Sequence, residues 1–347
     1  MTDGVDINLE NLATYLGDHI PGFGTALTAS KTASGQSNPT YFIANAAGDE
    51  IVLRRKPFGD LLPSAHAIDR EYRVMKALAP TKVPVPTMLH YCSDASIIGA
   101  EFFLMEKVVG RSVMDPRLQY DGWTVEGRGA FFMNMADTLA EMHKLSPENI
   151  ELDDYGKPGN YFERQLGRWT KQYRASETET IAPLEELMAW LGNNMMADAD
   201  KSSLVHGDYR IDNFILDPVR PQMKAVVDWE LSTLGHPLAD VGQVLMQWMM
   251  PAGNEGRGMM GVDRKALGIP SDGRFVHRYC ETAGLTDMPN LTFPIAFSFF
   301  RMAAIIQGVK KRGLEGNASD PEAAQRLGQY VPMFANGALQ VIAADRG

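Results

Sequence analysis

Cysteine is scarce in this chain: Cys92 and Cys280 are the two in 347 residues, far apart and in unrelated contexts. Such spacing excludes a disulfide framework and a cysteine-based zinc site, and it reads as two buried thiols in a reducing compartment. A basic excess is missing too, because 33 Lys and Arg stand against 43 Asp and Glu, a formal net charge of −10. Nucleic acid and anionic membrane surfaces both call for clustered cations, so neither is expected as a partner. The most apolar segment, 293–306, is interrupted by Pro294 and Arg301 and is too short to span a bilayer. Residues 1–11 are acidic and lack a basic stretch followed by an apolar one, so no signal peptide is expected and the reading is cytoplasmic. No repeat with a period of roughly 20–50 residues is visible, which sets solenoids and propellers aside.

What is present is material for an ordered core. Hydrophobic residues make up 45% and charged residues 22%, and the length predicts two lobes rather than one small core. The first third has strand chemistry. Runs at 27–33, 40–46 and 51–55 are separated by Ser34-Gly35-Gln36-Ser37-Asn38-Pro39 and by Gly48-Asp49-Glu50. Over 66–78 the period lengthens: Ile68, Tyr72, Met75 and Ala79 fall at helical spacing until Pro80 stops them. Two further strands are expected at 87–92 and 101–108, completing a five-stranded meander that Gly110 closes. Beyond it the pattern is helical, with Phe132, Met135, Ala136, Leu139 and Met142 on one stripe and Phe162, Gln165, Trp169 and Tyr173 on another. Within this part, 213–216 and 224–227 read as two short strands joined through Asp217-Pro218 and Pro221, a hairpin.

That hairpin lies between two chemical motifs. Leu204-Val205-His206-Gly207-Asp208 runs on to Asn213, and Val226-Val227-Asp228-Trp229-Glu230 follows, with Asp228 15 positions after Asn213. A carboxylate within an H-x-D-x-x-x-x-N loop can orient and deprotonate a hydroxyl, while the Asn and a downstream Asp offer hard oxygens to the magnesium ions that neutralise a triphosphate. Alone, either Asp would pass for an ordinary turn carboxylate, and His206 for a satisfied core histidine. Their conjunction reads as a phosphoryl-transfer centre.

The Val205-His206-Gly207-Asp208 and Val227-Asp228-Trp229-Glu230 motifs, in this order behind a strand-rich first third, resemble the aminoglycoside phosphotransferase and choline kinase family. Phe162-Glu163-Arg164-Gln165 with Trp169, and Ile306-Gln307-Gly308-Val309 with Lys311-Arg312, are similar to the subfamily related to the kinase-like domain fused to acyl-CoA dehydrogenases. The resemblance covers roughly residue 27 to the end. It implies an α+β, protein-kinase-like, two-lobed fold: an N-lobe at 1–107 with a five-stranded antiparallel sheet and one main helix, and a mainly helical C-lobe at 108–347 with a catalytic β-hairpin. It also implies ATP and Mg²⁺ as cofactors and a small-molecule hydroxyl acceptor.

Carried over residue by residue, the resemblance makes Asp208 the catalytic base and Asn213 and Asp228 the magnesium ligands. His206 and Asp240 brace the catalytic loop. Arg54 stands where most kinases have a phosphate-gripping lysine, and Glu71 on the following helix is its partner; Lys56 is the alternative phosphate contact. An arginine there changes the geometry, since a planar fork does not substitute freely for a compact ammonium. Gly35, Gln36, Ser37 and Asn38 take the place of the phosphate-covering loop, and the backbone carbonyl of Glu106 and N–H of Val108 that of the adenine-binding connector. Glu230 can touch metal-bound water or substrate, or serve as a carboxylate at a helix start.

The acceptor is open. Arg164, Trp169, Lys171 and Arg174, with Arg301, Lys310, Lys311 and Arg312, could hold an anionic acceptor, and the subfamily resemblance implies a hydroxyacyl-CoA. Glu177, Glu179, Glu185 and Glu186 could instead serve a polycationic aminoglycoside. An inactive nucleotide-binding module and a transition-metal hydrolase built on His206, Asp208, Asp228 and His236 are readings from other classes.

Overall fold

The computed structural model describes residues 5–32, 38–59, 67–119, 122–197, 202–253, 257–318 and 320–345. Five strands form one antiparallel sheet: β1 (Thr28–Lys31), β2 (Thr40–Ala44), β3 (Glu50–Arg55), β4 (Met88–Cys92) and β5 (Phe102–Glu106). Their order is β1-β2-β3-β5-β4, which corrects the expected meander. After β3 the chain passes through α2 (Ile68–Leu78) to the sheet edge as β4 and returns to the interior as β5. The residues explain this order. Phe102, Phe103 and Leu104 are consecutive and all buried, as a central strand covered on both faces requires, whereas His90 and Tyr91 of β4 are only half-buried.

One face of the sheet is closed by α1 (Leu9–His19), a helix the sequence reading did not anticipate. Asn8 caps it by accepting the Asn11 N–H at 3.0 Å, and Leu12 and Leu16 pack on Tyr41, Ile43, Leu53, Phe102 and Leu104. The other face carries α2, whose Val74, Met75 and Leu78 meet Phe103 and continue into the core of the helical part.

The rest of the chain contributes α3 (Val125–His143), α4 (Tyr161–Ser176), α5 (Ala182–Asn193), β6 (Ser203–Val205), β7 (Phe214–Leu216), β8 (Met223–Val226), β9 (Thr233–Gly235), α6 (Leu238–Trp248), α7 (Asp272–Ala283), α8 (Thr292–Leu314), α9 (Pro321–Gly328) and α10 (Val331–Asp345). The hairpin is present as β7–β8, and a second ladder, β6–β9, joins the approach to His206 with the exit from Glu230. The helix α8 corrects the expectation that Pro294 and Arg301 interrupt this segment: it runs unbroken for 23 residues. Pro294 sits in its first turn, where the missing N–H has no intrahelical partner to lose, and Arg301 turns inward. By length and composition α8 could cross a membrane, yet 61% of its most apolar window is buried in the protein, where it packs against α4, α5, α6, α9 and α10.

Candidate active site

The hairpin explains how residues distant in sequence meet. Phe214 pairs with Val226 at its open end, and the Val227 N–H donates to the Asn213 carbonyl at 2.9 Å, so Asn213 and Asp228 lie side by side where the two strands leave the ladder. Asp228 then turns through the left-handed region, φ 65° and ψ 59°, which aspartate tolerates better than most residues. Trp229, fully buried, packs its ring 4.5 Å from that of His206 and anchors the turn. Just past β5, Arg111 exchanges both backbone hydrogen bonds with Leu216 of β7, each at 2.8 Å.

The loop that carries Asp208 is held from below by Asp240 of α6. One Asp240 oxygen accepts the His206 N–H and the other the Gly207 N–H, each at 2.8 Å, and His143 Nε2 lies 3.3 Å away. Burial opposes the Asp240 charge, but His143, His206 and the Gly207 N–H together hold its carboxyl below the usual range. Gly207 has φ +80°, and a Cβ there would lie 2.7 Å from the Leu231 carbonyl, so a side chain is excluded on two counts. His206 Nδ1 receives the Asp208 N–H at 3.2 Å and its Nε2 faces the Val227 carbonyl at 3.2 Å, a pairing that only the neutral Nε2-protonated ring satisfies. Burial accordingly depresses its pKa. Both ring nitrogens of His206 are thus spent on backbone. His236 gives its Nδ1 to the Leu238 N–H, so these histidines do not form the metal cluster of the hydrolase reading. Among the described residues, no group of three His, Cys, Asp or Glu is placed to hold a metal.

Asp208 itself is surrounded by donors. Asn213 Nδ2 donates to its backbone carbonyl and to Oδ2, both at 2.9 Å; Gln243 Nε2 donates to Oδ1 at 2.7 Å; Arg210 Nε lies 3.2 Å from Oδ2. Across the cleft, Arg54 leaves β3 with Nε 2.9 Å from Glu71 Oε2 and Nη2 2.8 Å from Asp228 Oδ1, with Glu230 at 3.9 Å. The Nε–H is not aligned on Glu71, so that contact is an ion pair by proximity rather than a directed hydrogen bond. Three carboxylates therefore share one guanidinium. Burial pushes the Glu71 carboxyl up to about 7, with Asp228 and Glu230 adding to the effect and Arg54 opposing it.

Other expected residues fall elsewhere. Gly35, Gln36 and Ser37 lie outside the described residues, and Asn38 is buried. Glu106 ends β5 with its carboxylate on the Thr87 hydroxyl, and Val108 follows half-buried in the connector. Lys56 is tied to Glu101 at 2.8 Å, away from the Arg54 cluster. The two proposed surface patches largely neutralise each other. Arg174 pairs with Glu177 and Glu185, Lys310 with Glu179, and Arg164 donates to the Lys157 carbonyl. Arg301, half-buried, turns toward the Asp208 loop: it donates to the Gly207 carbonyl at 2.7 Å and to Gln243 Oε1 at 3.3 Å, and its guanidinium lies 5.7 Å from the Trp169 ring centre. What remains of the basic patch lines a groove between α4 and α8 that holds Trp169, Lys311 and Arg312.

Three residues near Asp208 were not singled out from the sequence. Gln243 follows Asp240 by one helical turn, and that spacing was the available signal. Arg210 and Asp212 lie inside the motif itself; Asp212 Oδ2 receives Arg210 at 2.8 Å and Arg257 at 2.7 Å. A cavity of about 260 Å³ opens at Asp208, bounded by Leu231, Gln243, Ser298, Arg301 and Ile305.

Residues 28–288 match the family described as "Phosphotransferase enzyme family". Acyl-CoA dehydrogenase family member 10 of Mus musculus is 47% identical over 292 residues, covering 84% of this chain and 27% of that protein. The chain spans less than half the length of such curated relatives. A crystal structure from Ralstonia eutropha, provisionally described as an aminoglycoside phosphotransferase, superposes with TM-score 0.86 at 42% identity, over 96% of this chain and 98% of that one. Spectinomycin phosphotransferase in complex with ADP and spectinomycin shares the fold at 11% identity, TM-score 0.64, over 98% and 99% of the two chains. Motifs, fold and relatives agree: this chain belongs to the phosphotransferase enzyme family.

Proposed function

We propose that the protein transfers the γ-phosphoryl group of ATP to a hydroxyl on a small metabolite, with 1–107 as nucleotide-binding lobe and 108–347 as catalytic and acceptor-binding lobe. One observation carries this reading: Asp208 is held by Asn213, Gln243 and Arg210 at the mouth of a cavity, beside the hairpin end that bears Asp228. With both oxygens already accepting hydrogen bonds, Asp208 aims the acceptor hydroxyl and takes its proton as the bond to phosphorus forms.

The donor set fits magnesium. Asn213 spends its amide nitrogen on Asp208, which leaves Oδ1 on the opposite side of the amide, and Asp228 gives Oδ1 to Arg54 and keeps Oδ2. Two hard oxygens suit an ion that completes its shell with water and phosphate. Magnesium there supplies neutralisation of the triphosphate charge. Arg54, steadied by Glu71, grips phosphate oxygens, and the connector at Glu106 and Val108 receives the adenine edge.

Among acceptors, a coenzyme A thioester bearing a hydroxyl is favoured over an aminoglycoside. The groove with Trp169, Lys311 and Arg312, where Lys311 also lies 3.6 Å from Glu315, offers Arg312 to an anionic head group, while Glu177, Glu179 and Glu185 are already paired and do not form an acidic site. Relatives named acyl-CoA dehydrogenases support the same choice. The two free, buried cysteines fit a reducing, cytoplasmic setting.

A nucleotide-binding module without turnover is the second reading, favoured by the Arg54–Asp228 contact at 2.8 Å, which engages one oxygen of a metal-ligand candidate. ADP release decides between them. Measured over hydroxyacyl-CoAs, amino alcohols and aminoglycosides, it should require Mg²⁺, disappear with EDTA, and fall about 10²–10⁴-fold in folded Asp208→Ala. Full activity in that variant would overturn the mechanism, and nucleotide binding without ADP release from any acceptor would favour the second reading.

A further inference from the structure

The cavity at Asp208 has a neighbour. It shares Arg210, Met246 and Met302 with a second cavity of about 420 Å³ between α6, α8 and the α9–α10 pair. The walls of the second cavity are mainly apolar, with Met246, Met250, Met302, Ile306, Met333 and Phe334 among them beside the polar Gln247 and Tyr330. No acidic side chain of the described residues lines it. Its charged groups are Arg210 and Arg257, both paired with Asp212.

From this adjacency we infer that the second cavity is the binding site for a hydrocarbon chain of the acceptor, extending beyond the hydroxyl that Asp208 addresses. The inference rests on the reading of Asp208 as the acceptor-facing group. A hydroxyl-rich sugar would leave its polar groups unpaired against thioethers and alkyl walls, and a polycation would meet two guanidiniums without a free carboxylate. An alkyl chain loses nothing there. Four unbranched methionines also suit chains of more than one length, because each thioether side chain can repack around what it touches. The substrate thus carries its hydroxyl between a polar part outside and an apolar part inside, and chain length becomes a determinant of specificity.

The test uses the whole chain and a series of hydroxyacyl-CoA thioesters in which the hydroxyl keeps its distance from the carbonyl while carbons are added beyond it. Each added methylene should raise kcat/KM by about threefold to fourfold until the cavity is filled, after which the trend reverses. Met333→Trp, on the wall that α10 supplies, should lower the long-to-short ratio of kcat/KM by at least about tenfold. Met333→Ala, which adds no bulk, should move the optimum to longer chains. A parallel measurement of 1-decanol binding by calorimetry reads the cavity without turnover, and Met333→Trp should abolish it. Chain-length-independent kcat/KM together with ratios unchanged in both variants would overturn the inference. Decanol binding that Met333→Trp abolishes, with no ADP released from any acceptor, would instead overturn the phosphotransfer reading and leave the apolar site standing. Absence of both overturns both.

Discussion

Asp240 has no exposed surface, yet it stays charged because each oxygen accepts a backbone N–H of the catalytic loop. In Asp240→Asn one of those N–H groups faces an amide NH₂ instead, which costs about 1–3 kcal/mol. Denaturant melts should show that loss, and steady-state kinetics should show a lower kcat with little change in KM for the nucleotide, since the loop and not the nucleotide lobe is displaced. His206 carries a pH signature. Its folded-state pKa lies below the unfolded value of roughly 6.5, so the unfolded chain binds the extra proton first as pH falls. Stability should therefore drop as pH falls through about 6.5, and more steeply in the wild type than in His206→Asn, as melting temperatures across pH 5–7.5 would show. Asp208, Asn213 and Asp228 were legible in the sequence because a fixed spacing ties them to one loop and one hairpin. Gln243 and Arg301 were not legible in their present places. Gln243 reads as an ordinary polar residue on a helix, and Arg301 as part of a basic acceptor patch, until α6 and α8 cross and bring Gln243 to Asp208 and Arg301 to the Gly207 carbonyl.

At the scale of elements, the crossing of α6 and α8 is set by Gly242, where an added Cβ would come within 2.5 Å of the Pro294 backbone. Gly242→Ala must push the helices apart. It should destabilise the fold by about 1–3 kcal/mol and, because α6 bears Asp240 and Gln243, lower activity beyond what the lost stability explains. The denaturation midpoint compared with kcat in folded protein separates the two effects. The hairpin, α2 and the strands 40–44 and 50–55 could be read from periodicity and turn residues. The ladder β6–β9 could not, for its three-residue strands are too short to show alternation. The place of β5 inside the sheet is written in its consecutive buried residues, but that pattern equally describes a buried helical segment until a partner strand is known. α1 went unread because the acidic residues around it outweigh its two buried leucines in composition.

For the whole molecule, the sequence conveyed the α+β division and its order, since strand chemistry gives way to helical chemistry near Gly110. It did not convey how the two parts touch. Besides the packing of α2, Arg54 reaches from β3 to Asp228 and bonds the sheet to the hairpin end across the cleft, and the Val226 N–H donates to the Pro84 carbonyl. A different property follows from the paired backbone hydrogen bonds between Arg111 and Leu216. They weld the start of the helical part to the strand that begins right after Asn213, so the connector and the hairpin end bearing Asn213 and Asp228 form one stiff piece. Under the proposed function, the span from the nucleotide's base to its metal-bound phosphates is then fixed by covalent and ladder geometry and does not change as the cleft opens. On that reading the piece would act as a gauge for the length of a nucleoside polyphosphate.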